Sequence, residues 1–489
     1  MSQSGSTNCI ASTKTPARVA IDLGAESCRV SLLRWLEGGP KIELIHRILN
    51  GPIHVDGSLR WPLGAILCGL EEGLRKAAAV APEGIASIAV DGWAVDYVRL
   101  GPDGDRLADP FCYRDERTVA SKESSDRIVN PEWMFCHSGA QPLRINTVYQ
   151  LLADDPKISA SPWVNLPEYV LYWLGGRRVA EYTNATHTGL VDLATGDWSE
   201  PLLGRLSMAR AAIPPIVRSG SVVGKLAGKL AELDALRVPD LIAPACHDTA
   251  SAIAAIPSSL EQAAYICSGT WSLVGTCIQT PLATRETLRA GFTNQGAAGG
   301  GFCFHTNVNG MWILKQCMEH WRKAGRPWQI EALVAEAERC DKVPGTVPVD
   351  APSLLLDDNM PTRLNEQLRQ QGHNAIEDCA GNEPVFARMI FESLAERYRI
   401  VLLSLERLVD RSLQTIHILG GGGQNRLLTQ LTAERTGCSI ETGDPESSTL
   451  GNFAVQLAAI EAPEKPLQKE AIQKWAHRLS HATRDRVAS

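Results

Sequence analysis

No C-x-x-C pair occurs among the 13 cysteines of this 489-residue chain. Their odd number and scattered spacing argue against a disulfide framework and against a zinc ribbon, and predict thiols that are mostly reduced and buried. An apolar run near the ~18 residues of a membrane-spanning helix is also missing, so no membrane partner is expected. Residues 1–17 are rich in Ser and Thr without the apolar centre of a signal peptide. They are expected as a disordered lead-in to a cytoplasmic protein. Excess positive charge is lacking as well: the net charge is −7. That disfavours nonspecific nucleic-acid binding, while local basic groups can still hold a phosphorylated ligand. With 44% hydrophobic and 21% charged residues, the composition is that of an ordinary globular protein. The length suits two or three domains.

What is present gathers near the middle of the chain. The aliphatic run Asp240–Ala243 leads into Pro244-Ala245-Cys246-His247-Asp248-Thr249, and a small-residue helix is predicted from Ala250 to Ile256. His247, Asp248 and Thr249 thus sit where a strand or loop meets a helix N-terminus, beside unpaired backbone N–H groups. A carboxylate placed there can act as a general base toward a substrate hydroxyl. Asp248 or Thr249 can equally cap the helix, as such residues commonly do.

Two similar units flank this stretch. Arg18–Gly24 reads as a buried strand ending at Asp22, Ala25-Glu26-Ser27-Cys28-Arg29 as a turn, and Val30–Leu33 as the returning strand. The turn offers N–H groups, a hydroxyl and a cation, which are the parts that hold phosphates and Mg²⁺. An ordinary polar hairpin has the same parts. Gln262–Cys267, Ser268-Gly269-Thr270 and Trp271–Gly275 repeat the pattern. Repetition of one unit predicts two like domains facing each other, with a boundary near residue 257.

Elsewhere, Ile85–Val90 is a strand that runs into Asp91, Trp93 and Ala94. Ligands collect at strand C-terminal ends in such sheets, so these three are candidates for substrate contact. Trp93 in the core and Asp91 in a turn are the alternative. Glu181–Thr186 is polar and suits the lining of a cleft, and Val308–Trp321 is expected as a helix whose Lys315 borders a nucleotide. Between the strand Thr415–Leu419 and the helix Arg426–Arg435 lie Gly420 to Gly423, neither a Walker A motif nor G-x-G-x-x-G. Four glycines remove every Cβ where the adenine-ribose end of a nucleotide can lie against backbone. Residues 463–489 are expected as a C-terminal tail.

Taken in order, Val19–Gly24 with Arg29, His247-Asp248-Thr249, Ser268–Ser272 and Gly420–Asn425 resemble the motifs of the FGGY carbohydrate kinases. The resemblance covers residues 18–462. It implies an α/β fold of two actin-like (ribonuclease-H-like) domains with a catalytic cleft between them, 18–257 binding sugar and 258–462 binding nucleotide. Transfer of the γ-phosphate of ATP, with Mg²⁺, is the implied reaction. Tyr113–Thr118, Asn146–Gln150, Glu181–Thr186 and Ser447–Asn452 are most similar to the branch acting on the 1-hydroxyl of L-rhamnulose. L-Fuculose, a pentulose, or a non-catalytic ATP-binding regulator are the alternatives.

By the same resemblance Asp248 is the proton acceptor, and Ala94, His247, Thr249 and Asn307 join it in holding the sugar. Ala25, Glu26, Ser27, Cys28, Arg29, Thr270, Lys315 and Gly421 hold ATP, and Asp22 faces the metal. Small-molecule partners are implied, in a monomer or homodimer. Three positions depart from the family pattern. Cys28 and Ala94 stand where Gly is usual, and Lys315 where Gln is. Cys28 bears on the geometry of the turn, and the Ala94 methyl narrows the sugar pocket.

Overall fold

A computed structural model describes residues 15–484 apart from 357 and 464. Most of the expected lead-in lies outside the described residues, but Ala17 already belongs to the first strand. The N-terminal sheet contains β1 (Ala17–Leu23), β2 (Ser27–Leu36), β3 (Gly39–Leu49), β4 (Ile85–Gly92), β5 (Ser221–Lys225) and β6 (Asp240–Ala243), in the order β5-β6-β4-β1-β2-β3. All of β1 is buried, which explains the apolar Val19-Ala20-Ile21 at its centre. The C-terminal sheet contains β7 (Ala263–Ser268), β8 (Trp271–Ile278), β9 (Thr293–Gly296), β10 (Phe302–Asn309), β11 (Thr415–Leu419) and β12 (Ser439–Thr442), in the order β9-β10-β8-β7-β11-β12.

Both sheets share one plan. In the first, β3, β2 and β1 are antiparallel, and β4 and β6 add to β1 in parallel. In the second, β10, β8 and β7 are antiparallel, and β11 and β12 add to β7 in parallel. The strand–turn–strand repeat of the sequence is therefore the start of each sheet. Each sheet has its own apolar core.

Helices cover the sheets: α1 (Leu63–Val80), α2 (Asp248–Ala254), α3 (Trp312–Lys323), α4 (Glu383–Val409), α5 (Arg426–Thr436), α6 (Ser447–Glu461) and α7 (Lys469–Arg484). Two expectations are corrected here. Val308 and Asn309 belong to β10, because Val308 is buried in the sheet core and Gly310 then breaks the run. A Cβ on Gly310 would lie 2.8 Å from the carbonyl carbon of Trp271, so the chain passes hard against the second turn. The expected tail is largely α7, whose Ile472, Ala476 and Leu479 are buried in a cluster with Phe453 and Leu457 of α6. Spacings of four and three residues put those apolar groups on one helix face that the polar composition hides.

α6 joins the two halves. It follows the C-terminal sheet in sequence but packs on β1 and β4 of the N-terminal one, and lies along α2. No helix among the described residues is long and apolar enough to cross a membrane.

Candidate active site

Three carboxylates meet at the C-terminal ends of the parallel strands. Asp22 on β1 and Asp91 on β4 are register partners. Gly92 forms the next bridge, to His247, and its N–H donates to the Cys246 carbonyl at 3.0 Å. Asp248 follows at the start of α2. Asp22 Oδ2 accepts from Arg29 Nη1 at 3.1 Å and from Ser448 Oγ at 2.8 Å. Asp91 Oδ2 accepts from Asn452 Nδ2 at 2.6 Å, and its buried Oδ1 has no partner. Gln456, one turn further along α6, donates to the Val19 carbonyl at 3.1 Å. Ser448, Asn452 and Gln456 recur every fourth residue, so one face of α6 reads the ends of β1 and β4. Burial raises the pKa of all three carboxyls, and the charge of Asp248 raises those of Asp22 and Asp91 further.

Asp248 is not the helix cap. That position falls to His247, whose side chain makes no capping bond. Instead the donors around Asp248 converge on one oxygen: Oδ1 accepts from Thr249 N at 2.5 Å and from Thr249 Oγ1 at 3.2 Å, and His247 Nε2 stands 3.3 Å from the same oxygen. Oδ2 has no donor among the described residues, and 34% of the side chain is open. Burial pushes His247 down to about 3, which keeps its ring neutral. His187 Nε2 lies 2.9 Å from His247 Nδ1, and Gln295 Nε2 lies 2.9 Å from His187 Nδ1. The stretch 181–186 is buried and does not line the cleft, contrary to expectation. Glu181 Oε2 accepts the Cys246 N–H at 2.9 Å, and Thr183 Oγ1 accepts the His247 N–H at 3.4 Å, so this stretch holds the loop that carries His247 and Asp248 from behind.

Beside this loop the chain is strained. Val95 has φ 73°, an unfavourable region for a β-branched residue. Its carbonyl accepts Thr147 Oγ1 at 2.7 Å. The next residue, Asp96, is buried and accepts Trp61 Nε1 at 2.6 Å, Trp93 Nε1 at 2.9 Å and Gln150 Nε2 at 3.0 Å. Burial lifts Asp96 to about 6 even so. Trp93 is thus a core residue anchored through its indole, and Ala94 sits between it and the strained Val95. Asn307 is exposed on β10, two residues beyond His305 and on the same face.

On the other side the two turns meet. Glu26 Oε1 accepts Lys315 Nζ at 2.5 Å and Thr270 Oγ1 at 3.4 Å. Arg29 Nε reaches Glu446 Oε2 at 3.2 Å, a second bridge between the halves. Ala25, Ser27 and Arg29 are half-buried, and Gly421 is exposed in the turn after β11. Cys28 is fully buried with its thiol in the N-terminal core, so its side chain does not face the cleft. The turn demands glycine at Gly24, where a Cβ would lie 2.5 Å from the Ser27 carbonyl oxygen, and makes no such demand at Cys28. Gly422 is required in the same way, since its Cβ would meet Ser268 Oγ at 2.0 Å.

A divalent cation fits this site only in one manner. No three His, Cys, Asp or Glu side chains among the described residues gather as a metal cage. Repelling carboxylates and the unpartnered Asp91 Oδ1 still leave uncompensated acceptor capacity. The residues suit a cation held mainly by water and phosphate oxygens, as Mg²⁺ is in such sites. His187, Gln295, Asp96 and Ser448 were not among the residues picked out from sequence. For Ser448 the four-residue spacing of α6 is a visible signal, whereas His187 and Gln295 carry none.

Comparison with known proteins agrees with this geometry. The N-terminal domain of the FGGY family of carbohydrate kinases matches residues 18–255, and its C-terminal domain matches residues 264–460. A rhamnulokinase of Bacteroides thetaiotaomicron is 34% identical over 446 residues, 90% of each chain. A rhamnulokinase of Bacillus subtilis is 32% identical over 463 residues, 93% of this chain and 92% of that one. In fold the chain is similar to a xylulose kinase from Lactobacillus acidophilus, with TM-score 0.73 at 16% identity over 97% of this chain and 98% of the other. A Plasmodium falciparum glycerol kinase with ADP gives TM-score 0.73 at 14% identity over 94% and 92%. The chain belongs to the FGGY family of carbohydrate kinases and is an ATP-dependent sugar kinase.

Proposed function

We propose that this kinase transfers the γ-phosphate of ATP to the 1-hydroxyl of L-rhamnulose. Both curated relatives bear that activity in their name and match across nearly the whole chain. The observation that carries the mechanism is the one-sided environment of Asp248: donors on Oδ1, none on Oδ2. Oδ2 is then free to take the hydroxyl proton as the oxygen attacks phosphorus.

Ala94, His247 and Thr249 of residues 18–257, with Asn307 from the second half, would hold the sugar, and residues 258–462 most of the nucleotide through Thr270, Lys315 and Gly421. Ala25 to Arg29 would cradle phosphates with backbone N–H groups and the Arg29 charge. Asp22 would hold Mg²⁺ through water, and the ion would screen charge on the transferred phosphoryl group. Facing domains exclude water and so limit hydrolysis of ATP. With ATP as co-substrate, the cytoplasm is the natural place of action.

The direct test is ³¹P and ¹³C NMR of the product formed from L-rhamnulose and MgATP. Phosphate on C1 is expected, and a phosphate elsewhere refutes the assigned hydroxyl. Two further outcomes follow from the site. The rate falls on the acid side as Asp248 gains a proton, and burial places that limb above the ordinary carboxylate range. A kcat profile that stays flat down to ordinary carboxylate pKa values contradicts this. Ala94→Gly is expected to change the ranking of ketoses by about 10–200-fold in kcat/KM, since one methyl is worth ~1–3 kcal/mol. A larger change on the substrate panel gives Ala94 more than a packing role.

A further inference from the structure

The polar surroundings of Asp248 do not end at His247. Two hydrogen bonds run in series, Gln295 Nε2 to His187 Nδ1 at 2.9 Å and His187 Nε2 to His247 Nδ1 at 2.9 Å, and they end where His247 Nε2 faces Asp248 Oδ1 across 3.3 Å. A neutral imidazole has one N–H and one lone pair, so fixing the direction of one bond fixes them all. Were the chain reversed, a lone pair on His247 Nε2 would face a carboxylate oxygen. Only the direction that starts at the Gln295 amide and ends at Asp248 is satisfied throughout. The orientation of that amide follows from the same requirement.

Both rings are neutral. Burial lowers the pKa of each, and a charge on one would face the other, with His305 beside them as a third ring. Location gives the chain its meaning. His187, His247 and Asp248 precede the C-terminal sheet, but Gln295 stands on β9 at the edge of that sheet. Beside it, the Gly296 N–H donates to Thr186 Oγ1 at 2.9 Å, which holds β9 against the segment carrying His187. The chain is complete only when the two domains sit together.

We propose that His187 and Gln295 are positioning residues for phosphoryl transfer, a one-way donor chain across the domain interface that sets the His247 tautomer and thereby orients the Asp248 carboxylate. This rests on the reading of Asp248 as the base. With the domains apart, His187 loses its Gln295 donor and His247 is free to take the other tautomer. With the domains together, the His247 Nε2 proton faces Asp248 Oδ1, and Oδ2 is presented to the substrate.

The test compares His187→Phe, which cannot donate to His247, with His187→Gln, whose amide can. His187→Phe is expected to lower kcat ~10-fold, part of the ~10²–10⁴ a general base supplies, and to move the acid limb of kcat to higher pH. The KM for ATP should stay within about 2-fold, since the nucleotide turns are not touched. His187→Gln should recover kcat and the acid limb to within about 3-fold of the parent. Gln295→Leu should fall in the same direction as His187→Phe, and replaces it should that variant fail to fold. The other titratable groups around Asp248 are Asp22 on β1, Asp91 on β4, Cys267 on β7 and Tyr113, with His305 on β10 beside His247. All remain in every variant, so a moved limb reports the chain. An unmoved limb in both His187→Phe and Gln295→Leu overturns the proposal, as does equal impairment of His187→Gln and His187→Phe. Should Asp248→Asn keep its turnover, the base reading itself fails. An inactive Asp248→Asn beside a normal His187→Phe defeats only this inference.

Discussion

Asp248→Asn should lose about 10³-fold or more in kcat while still binding ATP. The amide keeps the size of the carboxylate and can still accept from Thr249 N and Thr249 Oγ1 through its oxygen. What it cannot do is take a proton at the position of Oδ2, where it presents an N–H₂ group instead. Ground-state binding is therefore expected to change little, and the loss to fall on kcat, the pattern of an interaction made in the transition state. Steady-state ADP release gives kcat, and calorimetry gives the ATP affinity. A variant within about 10-fold of the parent in kcat would remove Asp248 from the role of base. The experiment also separates catalysis from folding, because Asp248 does not cap α2 and no capping bond is lost.

The second large effect is structural. Gly451→Ala should destabilise the protein, although helix propensity alone predicts a gain of about 1 kcal/mol at an interior position. A Cβ at residue 451 would lie 1.7 Å from the Ser251 carbonyl oxygen and 2.7 Å from its carbon. Those are backbone atoms of α2 and cannot turn aside, so α6 must move away from α2. Overpacking of this kind costs about 1–3 kcal/mol, and more where backbone blocks backbone. The same movement strains the bonds of Ser448 to Asp22 and of Asn452 to Asp91, each worth about 1 kcal/mol or more. Net loss is expected, with a melting midpoint lower by at least ~3 °C. Activity should fall too, since α2 carries Asp248 and α6 steadies Asp22. An unchanged or raised midpoint would show that the two helices are not in this contact in solution.

Much of the frame was legible because it rests on local pattern. The buried β1 and β11 read as short, mostly apolar runs, and the repeated strand–turn–strand units announced two like sheets. Asp22 and Asp91 were legible as polar residues at strand ends, and Asp248 as one at a helix N-terminus. What escaped depends on contacts remote in the chain. His187 meets a partner 60 residues away, and Gln295 one 108 residues away, and no periodicity records either. Local pattern also misled in places. The hydrophobic spacing of 308–321 suits a helix, but Val308 goes into the sheet core and the helix starts after Gly310. Cys28 stood out as a departure in a phosphate turn, yet it is the buried first part of β2, and the glycine the turn needs is Gly24. α7 was hidden by its polar composition, since its buried face is a narrow stripe of a few residues.

The most direct test is sugar-dependent ADP release from MgATP across L-rhamnulose, L-fuculose, D- and L-ribulose, D- and L-xylulose and glycerol. Strong release with L-rhamnulose, at least ~10-fold above the others in kcat/KM, is predicted. Release led by another ketose would contradict the substrate. ATP that binds without transfer to any of the panel would contradict the account of the site.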